Sequence, residues 1–253
     1  MKANERRESI LRFVNERGSA SFSEIRVQLP DVSEMTIRRD LEFLSQENRL
    51  IRVLGGAKSV GSLVGTAEDA YTKRSGVQAE DKTFIAQKAL QLLKPDSTVF
   101  LGSGTTMYQL AKLIPNDHYF ITTTGLNCAI ELSVLDNVSI LMVGGSVNKN
   151  SFCVNGSIAV RMIEDMSFNI AFLSVSGYLP GKGFTTSVAE DYVLRQKIVE
   201  RSECTAILMD SSKVGKKGIY TFAPTDHVDY VISDGKLDPA ITEELNANDI
   251  VVL

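Results

Sequence analysis

Residues 32–41 of the chain read VSEMTIRRDL. Ser33 is of a type that favours the start of a helix, and Ile37, Leu41 and Leu44 follow at the spacing i, i+4 and i+7. These three side chains would form one buried stripe, while the other side of the helix carries two consecutive arginines. The stretch therefore predicts a helix that is apolar on one side and basic on the other.

The residues before this helix predict a shorter helix that ends in a tight turn. Ser21 and Glu24 have the spacing of a capping box, and Pro30 would stop the helix after Leu29. A short helix, a tight turn and a second helix with a basic side are what a helix-turn-helix needs to place its second helix in the major groove of DNA. On this pattern alone, a helical protein-interaction module with a solvated arginine pair is an equal alternative.

Two flanking segments extend the N-terminal region. Apolar residues recur at helical spacing over residues 10–14, and Gly18 would end that helix. Residues 50–54 are short and β-prone, and the pair Gly55-Gly56 closes them. The segments together predict a small domain over residues 1–57.

Charge is distributed unevenly along the 253 residues. Residues 1–60 carry 11 Lys and Arg against 9 Asp and Glu, a net charge of +2, and the remainder carries a net charge of −6. This asymmetry favours an anion such as DNA as partner of the N-terminal region, although charge alone is weak evidence.

The composition is that of a globular protein, with 43% hydrophobic and 23% charged residues. The three cysteines have no metal-like spacing, and His118 and His227 are isolated, so we expect no metal and no cofactor. The charged N-terminus argues against a signal peptide, and no apolar run reaches the length of a membrane span. These features predict a cytoplasmic protein.

Beyond residue 78 the sequence alternates between apolar runs of strand length and helical periods, which predicts an α/β domain with a mainly parallel sheet over residues 79–253. Residues 58–78 are polar and rich in Gly, Ser and Ala, and we expect a linker there. The expected strands are 98–101, 119–122, 139–143, 170–175, 205–209, 230–232 and 250–253, and the expected helices are 79–93, 105–113, 127–135, 157–165 and 189–201.

One strand exit has the features of an anion site. The segment Gly102-Ser103-Gly104-Thr105-Thr106 follows an apolar run and opens a helix. Small residues let the backbone approach an anion, and the N-terminus of a helix offers unbonded N–H groups to it. A phosphate would fit here, but a purely structural turn is an equal alternative, and the segment lacks the Lys of a nucleotide P-loop.

Three further strands end in small polar residues. These exits are residues 122–125, residues 144–146 and residues 210–213. Because the carboxyl ends of parallel strands meet at one edge of a sheet, the exits are expected to line one pocket, with Lys213 as its cation.

The N-terminal segment, with Leu44 and then Gly55-Gly56-Ala57, resembles the signature of the DeoR family of bacterial regulators. Leu54 departs from the His that the family commonly has before the glycine pair. Asp40 is acidic and follows two arginines, so we expect it to orient Arg39 or to cap locally rather than to touch DNA. The residues it implies for DNA binding are Ser33, Met35, Thr36, Arg38, Arg39, Arg52, Gly55 and Gly56.

The later segments resemble the family's sensor domain, which is similar in fold to ribose-5-phosphate isomerase. The resemblance implies a repressor of a carbohydrate-utilisation operon, controlled by a phosphorylated sugar or a related metabolite and acting as a dimer or tetramer on double-stranded operator DNA. Gly102 and Thr124 stand where the family usually has Asp and Asn, which puts the usual sugar-hydroxyl contacts in doubt; some lactose-phosphotransferase repressors share the Gly. The residues implied for effector binding are Ser103, Gly104, Thr105, Thr106, Thr123, Thr124, Glu190, Arg195 and Lys213.

Two other functions are compatible with parts of this pattern. One is a phosphosugar isomerase with a regulatory head, but isomerisation needs a carboxylate, and residues 174–178 read SVSGY where the isomerase has its acidic motif. The other is a helical adaptor that never binds DNA.

Overall fold

A computed structural model describes residues 3–17, 19–30, 32–47, 49–53, 55–59 and 78–253. The described residues belong to two separate units, an N-terminal unit of residues 3–59 and a C-terminal unit of residues 78–253. Gly18, Leu54 and most of the expected linker lie outside the described residues. The domain boundaries at residues 57 and 79 therefore stay a prediction.

The N-terminal unit is a winged helix-turn-helix. Within the β-prone segment, β2 (Leu50–Val53) pairs with β3 (Gly56–Ser59) as the hairpin of the wing, and β1 (Ser19–Ser21) pairs with β3 on its other side. The antiparallel order is therefore β1-β3-β2. Helical periodicity gave no indication of β1 or β3, which are short. The elements are α1 (Ala3–Arg17), β1 (Ser19–Ser21), α2 (Phe22–Gln28), α3 (Glu34–Gln46), β2 (Leu50–Val53) and β3 (Gly56–Ser59).

The predicted helix caps are confirmed. The Ser21 hydroxyl accepts from the Glu24 N–H, and the Glu24 carboxylate accepts from the Ser21 N–H at 2.8 Å, which completes a capping box. The hydrogen bond from the Ser21 backbone is the main reason why the pKa of Glu24 is lowered. The Ser33 hydroxyl accepts from the Thr36 N–H at 3.2 Å and so begins α3.

Asp40 lies on the buried side of α3, and its role was predicted wrongly. Its carboxylate is 2% exposed and accepts from Nε of Arg6 at 2.5 Å and from Nε of Arg7 at 2.8 Å. It therefore joins α3 to α1 and does not orient Arg39. The partners come from another helix, because α1 packs against this side of α3.

The C-terminal unit is built on a seven-stranded sheet in which every pair of neighbours is parallel, in the order β15-β14-β12-β9-β4-β5-β6. Its strands are β4 (Ser97–Leu101), β5 (Tyr119–Thr123), β6 (Val138–Met142), β9 (Ile170–Ser174), β12 (Thr205–Leu208), β14 (Tyr230–Ile232) and β15 (Val251–Val252). All seven correspond to predicted strands, so the predicted α/β fold is confirmed.

Helices and small sheets accompany this sheet. The predicted helix over residues 127–135 is shorter than expected, and the one over 79–93 ends in a 3₁₀ turn, Leu90–Leu92. The helices are α4 (Ala79–Ala89), α5 (Thr105–Leu113), α6 (Leu126–Leu132), α7 (Ser157–Glu164), α8 (Ala189–Glu200) and α9 (Pro239–Ala247). The additional strands, which the sequence did not predict, are β7 (Ser146–Asn148), β8 (Cys153–Asn155), β10 (Gly177–Leu179), β11 (Gly183–Thr186) and β13 (Tyr220–Ala223).

The two faces of the sheet carry separate hydrophobic clusters. Phe100, Ala171 and Leu173 pack with α7 and α8, whereas Val99, Leu101 and Phe172 pack with α4 and α5. Successive strand residues alternate between the faces, so central strands that are covered on both sides read as continuous apolar runs. None of the helices in the described part of the chain is long and apolar enough to cross a membrane.

Replacing Asp40 with Asn should destabilise the N-terminal unit selectively, because a neutral amide cannot pair with two arginines. We expect a loss of about 2 kcal/mol, less than for a fully buried ion pair since both arginines can regain water. Native-state hydrogen exchange of the full chain should then show amides of α1 and α3 exchanging roughly 30-fold faster.

The matched control is Glu47→Gln, which neutralises an exposed carboxylate at the C-cap of the same helix. Its exchange rates should stay close to those of the parent chain. Equal exchange in the two variants would contradict the role given to Asp40.

Candidate functional site

The surface of α3 separates into a buried and an exposed side, as predicted. Ile37, Leu41 and Leu44 are buried in the core of the N-terminal unit. Met35 is 61% exposed, and Arg38 and Arg39 are exposed as well. An exposed Met in the first turn of this helix is not buried in the core of the unit and is available to touch another molecule.

Ion pairing distinguishes the arginines of this unit. Arg6, Arg7, Arg17, Arg26 and Arg49 each form a salt bridge with a carboxylate. Among the described residues, no carboxylate pairs with the side chains that were predicted to bind DNA, namely Arg38, Arg39 and Arg52. Their positive charge is therefore available to an external anion such as DNA phosphate.

Two predicted DNA-binding residues have a local role. The Ser33 and Thr36 hydroxyl oxygens lie 2.8 Å apart and share a hydrogen bond at the start of α3. Ser33 is exposed and Thr36 is half-buried. Contact of either hydroxyl with DNA stays a prediction, and the cap gives both residues a structural purpose of their own.

The glycine pair at the turn end of the wing hairpin is required by the backbone. Gly55 has a φ of +85° and its carbonyl accepts from the Phe22 N–H at 2.7 Å. A Cβ on Gly56 would lie 2.2 Å from the carbonyl oxygen of Ala20, because β3 pairs with β1 at this point. The wing is thus fixed to the start of α2 by two positions without side chains.

In the C-terminal unit, the predicted phosphate loop joins β4 to α5. Gly104, with φ +114°, is the N-cap of α5, and no side chain caps this helix. The loop is fixed to the neighbouring strand β9, since Gly102 N–H donates to the Phe172 carbonyl at 2.9 Å and the Ser174 hydroxyl donates to the Ser103 carbonyl at 2.9 Å. Ser103, Thr105 and Thr106 are each 7% exposed.

The second predicted exit, at the end of β5, packs directly against this loop. A Cβ on Gly125 would lie 3.3 Å from the Gly102 carbonyl. The Thr123 hydroxyl is fully buried and accepts from the Gly125 N–H at 3.0 Å, which stabilises the turn. The Thr124 carbonyl accepts from Val154 of β8. The structure therefore brings both predicted threonines beside the loop.

Arg195 belongs to a buried polar network that reaches the same loop. Its guanidinium donates to the Ser174 carbonyl and lies 3.3 Å from the Asp191 carboxylate, which Asn155 also approaches at 3.5 Å. Glu190, by contrast, is exposed in the first turn of α8. Of the two acidic residues on this helix, the buried one next to the loop is Asp191.

Cys153 lies inside this network. Burial raises the pKa of its thiol, and the negative charge of Asp191 raises that pKa further. Its sulfur lies 3.0 Å from the Ser151 hydroxyl. A thiol in such surroundings stays protonated at neutral pH and acts as a small packing group.

Lys213 lies on the 3₁₀ turn Ser211–Lys213, which follows β12. Asp210 caps the turn, and Asp234 holds it from β14 by accepting from the Ser211 N–H at 3.1 Å and the Ser211 hydroxyl at 2.8 Å. Burial alone would raise the pKa of Asp234, but the hydrogen bonds from Ser211 and its neighbours lower it overall. The turn therefore has a fixed position at the carboxyl edge of the sheet, and Lys213 is half-buried there.

The sequence indicated the loop, the two threonines and Lys213, but it missed Asn155, Ser174, Asp191 and Asp234. One signal for Asp191 was present, since it precedes Arg195 by one helical turn, a spacing that favours an ion pair. The other three are single polar residues at strand ends, and no local pattern marks them.

A winged helix-turn-helix with unpaired arginines defines a DNA-binding protein, and a separate α/β unit with a polar sheet edge is typical of a ligand sensor. Residues 6–62 match the family profile "DeoR-like helix-turn-helix domain", and residues 77–235 match the profile "DeoR C terminal sensor domain". The chain belongs to the DeoR family of transcriptional regulators.

Two relatives match over almost the whole chain. One is a Bacillus subtilis protein named "Uncharacterized HTH-type transcriptional regulator YulB", 32% identical over 100% of this chain and 96% of the relative. The other is the lactose phosphotransferase system repressor of Staphylococcus epidermidis, 31% identical over 92% of this chain and 93% of the relative. Both are named as regulators, and the chain is a DNA-binding transcriptional regulator.

A solved structure of ribose 5-phosphate isomerase A from Methanocaldococcus jannaschii is also similar, with 15% identity and a TM-score of 0.40 over 54% of each chain. This likeness does not bear on activity.

Gly56→Ala should impair the wing much more than Gly55→Ala. The first adds a Cβ that collides with the Ala20 carbonyl, whereas the second meets no atom within 4 Å and costs roughly 1 kcal/mol of backbone strain. In Gly56→Ala, the amides of β1 and β3 should exchange faster than in Gly55→Ala, and affinity for duplex DNA should be lower. Equal effects of the two variants would contradict the close approach of Gly56 to the Ala20 carbonyl.

Arg38→Ala and Arg39→Ala should each weaken binding to duplex DNA, because neither arginine pairs with a carboxylate among the described residues. A lost contact costs on the order of 1–3 kcal/mol if it is to a base, and it reduces the salt dependence if it is to a phosphate. Arg26→Ala is the control, since Arg26 already pairs with Glu34. A salt titration in which all three variants bind like the parent would contradict the assignment.

Proposed function

We propose that the chain represses a carbohydrate-utilisation operon and that a phosphorylated sugar, bound to the C-terminal unit, controls its affinity for the operator. The observation that carries this proposal is the loop between β4 and α5. Its glycine N-cap leaves the start of an α-helix without a side-chain cap, at the edge of a parallel sheet where ligands bind in such folds.

A phosphate suits the chemistry of this loop. The first N–H groups of a helix carry a partial positive charge, and Ser103, Thr105 and Thr106 add hydroxyl donors around them. The glycines at 102 and 104 let the loop pack closely on β9, since a Cβ on Gly102 would lie 3.1 Å from the Phe172 carbonyl and a Cβ on Gly104 would lie 3.2 Å from the Ser174 hydroxyl. A neutral sugar would leave these donors without an anion.

The rest of the predicted site would bind the sugar. Lys213 would add a full positive charge from its fixed turn, and Thr123 and Thr124 lie beside the loop. Arg195 is joined to the loop through Ser174 of β9 and would contact the sugar from that side of the loop. Glu190, which is exposed, is the weakest of the predicted contacts.

Control of DNA binding would follow from linkage. A dimer or tetramer would place two DNA-binding units on the two halves of an operator, as helix-turn-helix proteins commonly do. A ligand that binds one arrangement of the oligomer better than another changes operator affinity by that difference in free energy.

Phosphorylated sugars should bind the full chain and the matching free sugars should not. Calorimetry with a panel of pentose 5-phosphates and hexose 6-phosphates tests this, with each free sugar as its control. Lys213→Ala should weaken binding of the active sugar phosphate by about 1.5–3 kcal/mol, the range for a charge-assisted contact, while DNA binding without ligand stays near normal.

The matched variant is Lys182→Ala, which removes an exposed lysine beyond β10 and should leave affinity unchanged. Equal affinity for a sugar and its phosphate would remove the phosphate-sensor function. In that case the loop between β4 and α5 is a structural turn.

A further inference from the structure

A groove of about 630 Å³ separates α3 from the wing in the N-terminal unit. One wall carries Arg38 and Glu42 from α3, the other carries Arg52 from β2, and the glycine pair Gly55-Gly56 forms part of its lining without side chains. Two arginines and one glutamate give these walls a net positive charge. The groove is therefore suited to a single anionic group that enters from outside.

Arg38 is fixed in place by an aromatic ring. Its guanidinium carbon lies 4.6 Å from the centroid of the Phe22 ring, within the range of a cation–π contact. Phe22 is itself fixed, because its N–H donates to Gly55 and its side chain packs against the core of the unit. This contact directs Arg38 toward the groove.

Arg39 points elsewhere, although it is the next residue. Consecutive helical residues are separated by about 100° around the axis, so Arg39 lies with Met35 on the outermost face of α3. Arg39 does not line the groove. The two arginines of the recognition helix thus face different surroundings.

We propose that the groove binds one backbone phosphate of the DNA strand that passes between α3 and the wing. Arg38 and Arg52 hold this phosphate from both sides, Phe22 positions Arg38, and Arg39 contacts base edges in the major groove. A strand that borders the major groove has to pass here when α3 enters that groove. Phosphate contacts fix register, whereas base contacts provide specificity, so the two arginines have separate functions.

The first experiment separates these functions by the dependence of DNA binding on salt concentration and on duplex sequence. It rests on DNA binding by the full chain, and its probes are a duplex selected by that chain from a random library and a scrambled duplex. Arg38→Ala and Arg52→Ala should each weaken binding to both duplexes by the same factor. Because both arginines neutralise one phosphate, the double variant should lower the salt slope by about 0.9. Arg39→Ala should instead reduce discrimination between the duplexes by about 5- to 150-fold.

A second experiment locates the phosphate. Single methylphosphonates, which remove one backbone charge, are placed along the selected duplex. One position should weaken the parent chain, should weaken Arg38→Ala and Arg52→Ala less, and should have no effect on the double variant, whereas Arg39→Ala should keep the full sensitivity. Arg38 and Arg52 variants that lose sensitivity at different positions, or an Arg38→Ala variant that loses discrimination at one base pair, would overturn the proposal.

The positioning role of Phe22 has its own test. Phe22→Leu should weaken binding to both duplexes, as Arg38→Ala does, and should add nothing in the Arg38→Ala background. Phe22→Tyr, which keeps the ring face, should bind like the parent. A Phe22→Leu effect of the same size in both backgrounds would indicate a folding defect and would refute the positioning role.

Glu42→Gln provides an opposite prediction, because Glu42 lines the same groove and its carboxylate would repel a phosphate. This variant should bind both duplexes more tightly.

If no duplex binds the parent chain at all, the proposed function fails, whereas normal binding without these patterns refutes only the phosphate groove.

Discussion

The parallel direction of seven strands is the constraint on which the C-terminal unit depends. Because β4, β5, β9 and β12 all run the same way, their carboxyl ends lie along one edge, and every polar residue that follows a strand is brought there. The loop after β4 is then fixed by hydrogen bonds from its neighbour β9. A parallel sheet is covered on both faces, so its edge is the place that is left for polar chemistry.

Five arginines of the N-terminal unit are paired with carboxylates of the same unit. Buried Asp40 needs partners, since an unpaired carboxylate away from water is costly, and it takes two arginines from α1. Other carboxylates pair with Arg17, Arg26 and Arg49. Arg38 and Arg39 on α3 and Arg52 on the wing have no carboxylate partner among the described residues. The modest net charge of the region therefore understates how positive this candidate DNA-binding surface is.

The two candidate sites differ in how well local sequence describes them. At the DNA interface, caps and a 3.6-residue period were enough to place the exposed arginines, because helix faces follow from spacing alone. At the sheet edge, the loop was predictable from its small residues, but its partners were not. Ser174 and Arg195 are separated from Ser103 by about 70 and 90 residues of chain, and only strand order brings them together.

The sequence by itself determined the fold class, the start of α3 at Ser33, the length of α5 and the side of α3 that faces outward. These features follow from short-range hydrogen bonds and from the period of apolar residues, both of which are local. Tertiary structure alone decided that Asp40 pairs with α1, that Asp191 and not Glu190 is buried beside the loop, and that Phe22 holds Arg38. Each of these depends on contacts between different elements, and such contacts form only where the fold brings the elements together.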